Sequence, residues 1–158
     1  MNYGLTPAQK AEQEGYRRFA EDEITPYLEE LEAGGETPAS LLEKMAKAQL
    51  LGIPVPQEYD GLGKDYISAT LCMEELSKVS PATAGIINVS SEIVCGGLEK
   101  YGTPEQKQRY LPPLARGEVI GAFALTEPGA GSDASGVRTV ATLEGDHWVL
   151  NGTKCFIT

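Results

Sequence analysis

The residues best suited to chemistry stand together between positions 125 and 133: Leu125-Thr126-Glu127-Pro128-Gly129-Ala130-Gly131-Ser132-Asp133. Two glycines, one residue apart, free the backbone to approach a ligand closely. Successive N–H groups in such a turn can form a concave anion site, with the Ser132 hydroxyl as a further donor. A pyrophosphate suits that chemistry. Gly129-x-Gly131-x-x-Ala134 also satisfies the loose dinucleotide-binding fingerprint. That fingerprint needs a helix straight after the glycines, inside a parallel βαβ unit. Ser135, Gly136 and a β-branched run follow instead, so the fingerprint is discounted. On its residues alone, the loop reads equally well as a plain connection between two strands.

The other reactive side chains offer little. The single histidine, His147, follows Asp146 in a turn-like stretch, with no Ser or Cys arrangement nearby. It supplies neither a triad nor a metal-ligand set. Cys72, Cys95 and Cys155 are odd in number and widely spaced, which fits no disulfide framework and no zinc pattern. Cys72 and Cys95 lie among apolar neighbours and read as buried thiols. No metal site is expected. The formal charge of −10 disfavours nucleic acid as a partner. No apolar run is long enough to span a bilayer. Lys10, Glu12, Glu14, Arg17 and Arg18 mix near the start, unlike a secretory signal or a transit peptide. The default location is the cytoplasm, with no membrane insertion.

The elements that must position the loop fall into two parts. Thr6-Pro7, Thr37-Pro38, Ser80-Pro81 and Thr103-Pro104 each place a capping hydroxyl before a proline, a helix-start signal. Thr6 with Gln9 and Thr103 with Gln106 have capping-box spacing. Ala8, Ala11, Tyr16, Phe19 and Ala20 make a helical stripe, and Thr25-Pro26 ends or restarts that helix. Gly34-Gly35 reads as a turn. A second helix is expected from Pro38 to Leu51, with Leu41, Leu42, Met45 and Ala48 inward and Gly52 at its C′ position. Asp65 caps a third helix bearing Ile67, Leu71, Cys72 and Leu76. Ala82 to Leu98 holds one charge, Glu92, and reads as a helix buried on most sides. Gly85, Gly96 and Gly97 would let another element or a ligand approach it. A polar helix runs from Pro104 towards Ala115. From Gly117 the pattern turns to β: Val119–Thr126, Val137–Leu143, Trp148–Leu150 and Cys155–Thr158 read as strands, with Glu144-Gly145-Asp146 as a turn. Asn151-Gly152 is the strongest hairpin dipeptide. The fold class is therefore α+β: an all-α helical bundle at residues 1–117, then the first strands of a β domain at residues 118–158. So few strands cannot close a sheet, so the chain reads as truncated or in need of a partner.

Gly121-Ala122-Phe123-Ala124-Leu125-Thr126-Glu127-Pro128-Gly129-Ala130-Gly131-Ser132-Asp133 closely resembles the signature of the acyl-CoA dehydrogenase family. Asn151 to Thr158 resembles that family's second flavin segment. Leu51 to Pro56, Tyr59 to Gly63 and Tyr101-Gly102-Thr103 are similar to further landmarks in the same order. The resemblance covers essentially the whole chain. It implies an N-terminal helical domain and the start of a middle β-barrel domain, with FAD as cofactor and an acyl-CoA as substrate. It implies α,β-dehydrogenation to a trans-2-enoyl-CoA. An electron-transfer flavoprotein would be the acceptor, and the full-length protein a homo-oligomer.

By the same resemblance, Phe123, Leu125, Thr126, Gly131, Ser132, Phe156, Ile157 and Thr158 bind the cofactor. Thr126 would face the pyrimidine side of the flavin. Ser132 would lie near the pyrophosphate and also contact the acyl-CoA. Phe156 takes the place of an aromatic over one flavin face, and Thr158 sits near N5. The family's catalytic glutamate lies outside this stretch, so no catalytic residue is assigned here, and Glu127 reads as structural. Val89, Ile93 and the glycines of the Ala82–Leu98 helix are candidates for setting acyl-pocket depth, with a lean towards short chains. Two other readings stay open: an acyl-CoA oxidase or flavin monooxygenase of similar architecture, and a truncated, non-catalytic helical interaction module. The purified 158-residue chain is expected to be inactive. Acyl-CoA-dependent reduction of an electron acceptor by it would overturn that expectation.

Overall fold

A helix that begins at Thr-Pro has its first hydroxyl and its first free N–H groups within reach of each other, and this chain uses that device repeatedly. The computed structural model describes residues 4–34 and 36–158. Gly35, half of the expected Gly34-Gly35 turn, lies outside the described residues, while Gly34 adopts φ +79°. The chain divides into two compact units, Met1–Gly121 and Ala122–Thr158.

The first unit is built from α1 (Pro7–Phe19), α2 (Leu28–Glu32), α3 (Ala39–Lys47), α4 (Tyr66–Val79), α5 (Pro81–Ile87), α6 (Gly96–Tyr101) and α7 (Pro104–Ala115). Thr6 Oγ1 accepts from Gln9 N at 3.2 Å while Gln9 Oε1 accepts from Thr6 N at 2.9 Å, a complete capping box. Thr103 and Gln106 repeat it ahead of α7. Ser80 caps α5, and Asp65 caps α4 by accepting from Ser68 N at 2.9 Å. Thr37 does not cap α3. That helix starts one residue later, on an extended Pro38 whose carbonyl accepts from Leu41 N and Leu42 N.

Three helical readings need correction, each for a backbone reason. Thr25-Pro26 neither ends the first helix nor restarts it cleanly. Ala20–Ile24 forms a π turn in which Thr25 N donates to Ala20 O, and a 3-10 turn over Thr25–Tyr27 leads into α2. Proline lacks an N–H and crowds the carbonyl four residues back, and the widened turn relieves both conflicts. The second helix stops at Lys47 rather than Leu51. Gln49 takes the left-handed position with φ +55°, and a 3-10 turn over Leu50–Gly52 follows. Gly52 is small for another reason: a Cβ there would lie 2.9 Å from Ala115 O. The stretch from Pro81 to Lys100 is α5, then a π segment over Asn88–Cys95, then α6. It buries Thr83, Ala84, Ile87, Ser90, Ser91 and Cys95 but leaves Ile93 exposed, so it is less enclosed than its composition suggests.

The core joins Tyr16, Ala20 and Ile24 to Leu41 and Met45 of α3, to Leu71, Cys72 and Leu76 of α4, and to Ala84 and Ile87 of α5. A smaller cluster gathers Val55 and Cys95 against Leu111, Leu114 and Ala115 of α7. Ala48, expected inward, is exposed, as are Ala8 and Ala11 of the stripe and Ile67 of α4. The buried face of the first helix is the ladder Tyr16, Ala20, Ile24, spaced every fourth residue, which continues into the π turn.

In the second unit β1 (Val140–Glu144) pairs antiparallel with β2 (His147–Asn151), with Leu143 opposite Trp148. The connection is Gly145-Asp146, and Gly145 carries φ +65°, as a two-residue turn opening on glycine requires. Asn151-Gly152 is not a turn: Asn151 ends β2 opposite Val140. A Cβ on Gly152 would strike Thr139 Oγ1 at 2.1 Å, so this glycine serves close approach. Val119–Thr126 and Cys155–Thr158 form no strand among the described residues, because neither has a ladder partner there; Phe156 turns through φ +55°.

Two glycines should respond oppositely to alanine. At Gly61 a Cβ would sit 2.0 Å from Val55 O, whereas nothing lies within 4 Å at Gly85 in α5. Gly61→Ala is expected to destabilise by more than ~2 kcal/mol. Gly85→Ala should stabilise by ~0.5–1 kcal/mol, since helical glycine carries an entropic penalty. Thermal unfolding followed by far-UV dichroism reads both signs.

Candidate functional site

The glycine loop is organised by one carboxylate. Glu127 and Ala130 close a tight turn by exchanging backbone hydrogen bonds, each 3.0 Å. This leaves Glu127 only 7% exposed. A carboxylate shielded that far is costly unless donors meet it. Oε2 accepts from Arg138 N at 2.7 Å. Oε1 accepts from Thr139 N at 2.9 Å, Thr139 Oγ1 at 2.5 Å and Lys154 Nζ at 2.9 Å. Lys154 Nζ also donates to Leu125 O at 2.9 Å, and Cys155 N donates to Thr126 O at 3.0 Å. Three stretches distant in sequence are thereby fastened together: 125–130, 138–139 and 154–155.

These donors fix the charge state. The Thr139 hydroxyl foremost, then the Arg138 amide, Lys154 and the Thr139 amide, lower the Glu127 pKa from 4.5 to about 2. Glu127 stays an anion near neutral pH, and both its oxygens are occupied. It is a clasp, poorly placed to take a proton from a substrate.

The loop beyond the clasp is open. A Cβ added at Gly129 or Gly131 would meet nothing within 4 Å, and neither glycine adopts positive φ. Asp133 accepts from Ser135 N at 3.2 Å and from the Ser135 hydroxyl. Ala134–Gly136 is a single 3-10 turn where a dinucleotide fold would place a helix.

The residues assigned by resemblance divide into two groups. Thr126 is half-buried, and the bond from Cys155 N to its carbonyl brings it to the segment carrying Phe156, Ile157 and Thr158. Phe123 and Leu125 are exposed on an extended run, and Phe156 is 93% exposed. Gly131 and Ser132 lie exposed on the loop, and no hydrogen bond among the described residues joins them to the Thr126–Cys155 pair. Sequence reasoning missed Lys154, Thr139 and the Arg138 amide. A usable signal existed: one acid in an otherwise uncharged turn needs a partner, and Lys154 is the cation inside the second motif.

In the helical unit the reactive groups are quiet. Burial pushes the Cys72 and Cys95 thiols up to about 12, so both stay protonated. Burial also raises the Glu92 carboxyl above its ordinary value. Among the described residues, no group of His, Cys, Asp and Glu could hold a metal ion.

The family model for the acyl-CoA dehydrogenase N-terminal domain matches residues 6–118. This chain belongs to the acyl-CoA dehydrogenase family. The model for the family's middle domain matches residues 122–158. The short-chain specific acyl-CoA dehydrogenase of Clostridium acetobutylicum is 44% identical over 158 residues, covering 100% of this chain and 42% of that protein. A chain from the structural study of the electron transferring flavoprotein of Acidaminococcus fermentans superposes with TM-score 0.93 at 41% identity, covering 99% of this chain and 41% of that one. The acyl-CoA dehydrogenase of Bacillus anthracis complexed with FAD gives TM-score 0.88 at 37% identity, covering 97% of this chain and 27% of that one. This member of the family therefore spans less than half the length of these relatives.

The clasp predicts a pH response. Its carboxyl has a depressed folded pKa, so its contribution is complete above the ordinary carboxylate range and is lost as pH falls towards about 2. The Arg138 and Thr139 amides should lose exchange protection over that interval. Glu127→Ala should remove the protection at neutral pH while leaving the helical unit's unfolding midpoint in place. Amide exchange followed by NMR tests both.

Proposed function

We propose that this chain is the front part of an FAD-dependent acyl-CoA dehydrogenase, an oxidoreductase that converts an acyl-CoA thioester to the trans-2-enoyl-CoA. In this reading residues 1–117 act as the N-terminal helical domain. Residues 118–158 open the middle domain that binds FAD and acyl-CoA. The observation that carries it is the glycine loop itself: a turn locked from behind by Glu127, with open space over Gly129 and Gly131. A bulky anionic cofactor fits that arrangement. The N–H groups of Gly131 and Ser132 make no hydrogen bond among the described residues and remain available as donors.

FAD, when bound, supplies a hydride acceptor at N5. The chain's own residues would hold and tune it. Thr126 offers its hydroxyl to the pyrimidine side, and Thr158 offers a donor near N5. Neutral donors at a ring edge favour negative charge that builds up there. Phe123, Leu125 and Ile157 supply apolar cover, and Phe156 covers one ring face, which excludes water and fixes orientation. Ser132 serves the pyrophosphate and the acyl-CoA. Proton removal from the substrate is assigned to a residue outside these positions, since Glu127 is committed to its donors. An electron-transfer flavoprotein is the proposed acceptor, and the full-length protein is proposed to be a homo-oligomer. A cytoplasmic location is proposed; no described helix is long and apolar enough to cross a membrane.

The test is titration of the chain with FAD, followed by flavin absorbance and fluorescence. Saturable binding is expected, weakened at least about tenfold by Thr126→Val with Ser132→Ala, in line with the loss of two hydrogen bonds to the cofactor. Equal affinity in the double variant would overturn the site assignment.

A further inference from the structure

Asn88–Cys95 forms an eight-residue π segment. Such segments are uncommon and gather at functional positions. This one turns two adjacent serines, Ser90 and Ser91, into the protein, where they are 0% and 1% exposed. Their situations differ. Ser90 Oγ accepts from Gly121 N at 3.0 Å, across 31 positions of sequence. Ser91 Oγ has no hydrogen-bond partner among the described residues. Gly121 is itself buried, and a Cβ there would lie 2.9 Å from Val94 Cγ1 and 3.2 Å from Leu114 Cδ2. The backbone at Gly121 is thus seated against the π segment and α7 and bonded at its N–H. Four exposed residues, Ala122–Leu125, follow immediately.

We infer that Ser90 is a positioning residue: it fixes the point at which the chain leaves the helical unit and so sets the start of the run from Phe123 to Ser132. The functional half of this inference rests on the FAD-binding reading; the backbone half does not. An α-helical path continued from Ile87 would rotate Ser90 differently, because the π turn inserts an extra residue into each hydrogen-bonded ring. The π segment is the reason that a serine at this position meets the Gly121 amide. Ser90 touches no reacting atom and acts through Gly121.

The test compares Ser90→Ala with Ser91→Ala in the full chain. In Ser90→Ala the Gly121 amide should exchange about tenfold faster, as expected for loss of one buried hydrogen bond. Amides within α4 and α7 should keep their protection. Ser91→Ala removes a buried hydroxyl with no hydrogen-bond partner among the described residues, and should leave Gly121 unchanged. Gly121→Ala, which cannot seat against Val94, should release the same residues as Ser90→Ala. In a chain that binds FAD, Ser90→Ala should also lower flavin affinity several-fold while Ser91→Ala does not, a difference that simple core loosening would not produce. Unchanged Gly121 exchange in Ser90→Ala would overturn the inference. So would a general rise across the helices, or flavin affinity equal to that of the unmodified chain. If the unmodified chain binds no FAD, the functional reading fails, and Gly121 exchange still decides the role of Ser90.

Discussion

A carboxylate shut away from water has to be met by donors, and the way Glu127 is met organises the second unit. Its two oxygens accept from Arg138 N, Thr139 N, Thr139 Oγ1 and Lys154 Nζ. Apart from one 3-10 turn, the regular structure of the unit among the described residues is a two-stranded hairpin, and an isolated hairpin is marginal in water. Val140, Leu143, Trp148 and Leu150 remain exposed on it, so apolar burial contributes little there. Charge-assisted hydrogen bonds, shorter and stronger than neutral ones, hold what packing does not. The same bonds place Thr126 beside Cys155, because Lys154 reaches both Glu127 and the Leu125 carbonyl.

The helical unit follows the same rule less completely and with more apolar help. Glu75, 2% exposed on α4, accepts at Oε1 from Gln13 Nε2 at 2.8 Å and Lys78 Nζ at 2.7 Å, which ties α1 to α4, while its Oε2 is buried with no hydrogen-bond partner among the described residues. Glu12 accepts from Ser68 Oγ at 2.6 Å and Lys64 Nζ at 3.1 Å, and the Ser68 bond foremost lowers its pKa. These sit at the margin of the Tyr16–Leu76 core and set register between helices that apolar packing alone would leave free to slide. The exposed Arg116, bonded to Asp60 and Glu118, is of another kind; solvent screening leaves such pairs little net worth.

Much of this was legible from local chemistry. Thr6 with Gln9, Thr103 with Gln106, Ser80 and Asp65 announce helix starts because the capping bond involves only residues three apart. The hairpin was legible at Gly145 for a similar reason: a two-residue turn makes a local demand on φ. What failed was whatever a distant partner decides. Gly52 and Gly152 looked like a helix stop and a turn, yet each is small because Ala115 or Thr139 lies against it. The π turns were invisible because a search for period 3.6 assumes the hydrogen-bond spacing that they break. At the candidate site the motif glycines and Ser132 stood out by type. Lys154 did not, since its importance comes from a carboxylate 27 positions earlier.

The glycines separate the chain's own needs from demands placed on it. Gly52, Gly61, Gly117 and Gly121 are each explained by an atom of this chain that a Cβ would meet. Gly129 and Gly131 are not: a Cβ at either would meet nothing within 4 Å, and neither uses a backbone region closed to other residues. Gly85 and Gly97 are equally open, and in a helix they lower intrinsic stability. Glycine with no internal cause is costly in conformational entropy, because it gives the unfolded chain freedom that folding must remove. Such a residue is best accounted for by something outside the chain that comes close to its backbone. On this reasoning the open backbone at Gly129 and Gly131 is consistent with the proposed cofactor site, whereas open helical glycines such as Gly15, Gly85 and Gly97 single out no site by themselves.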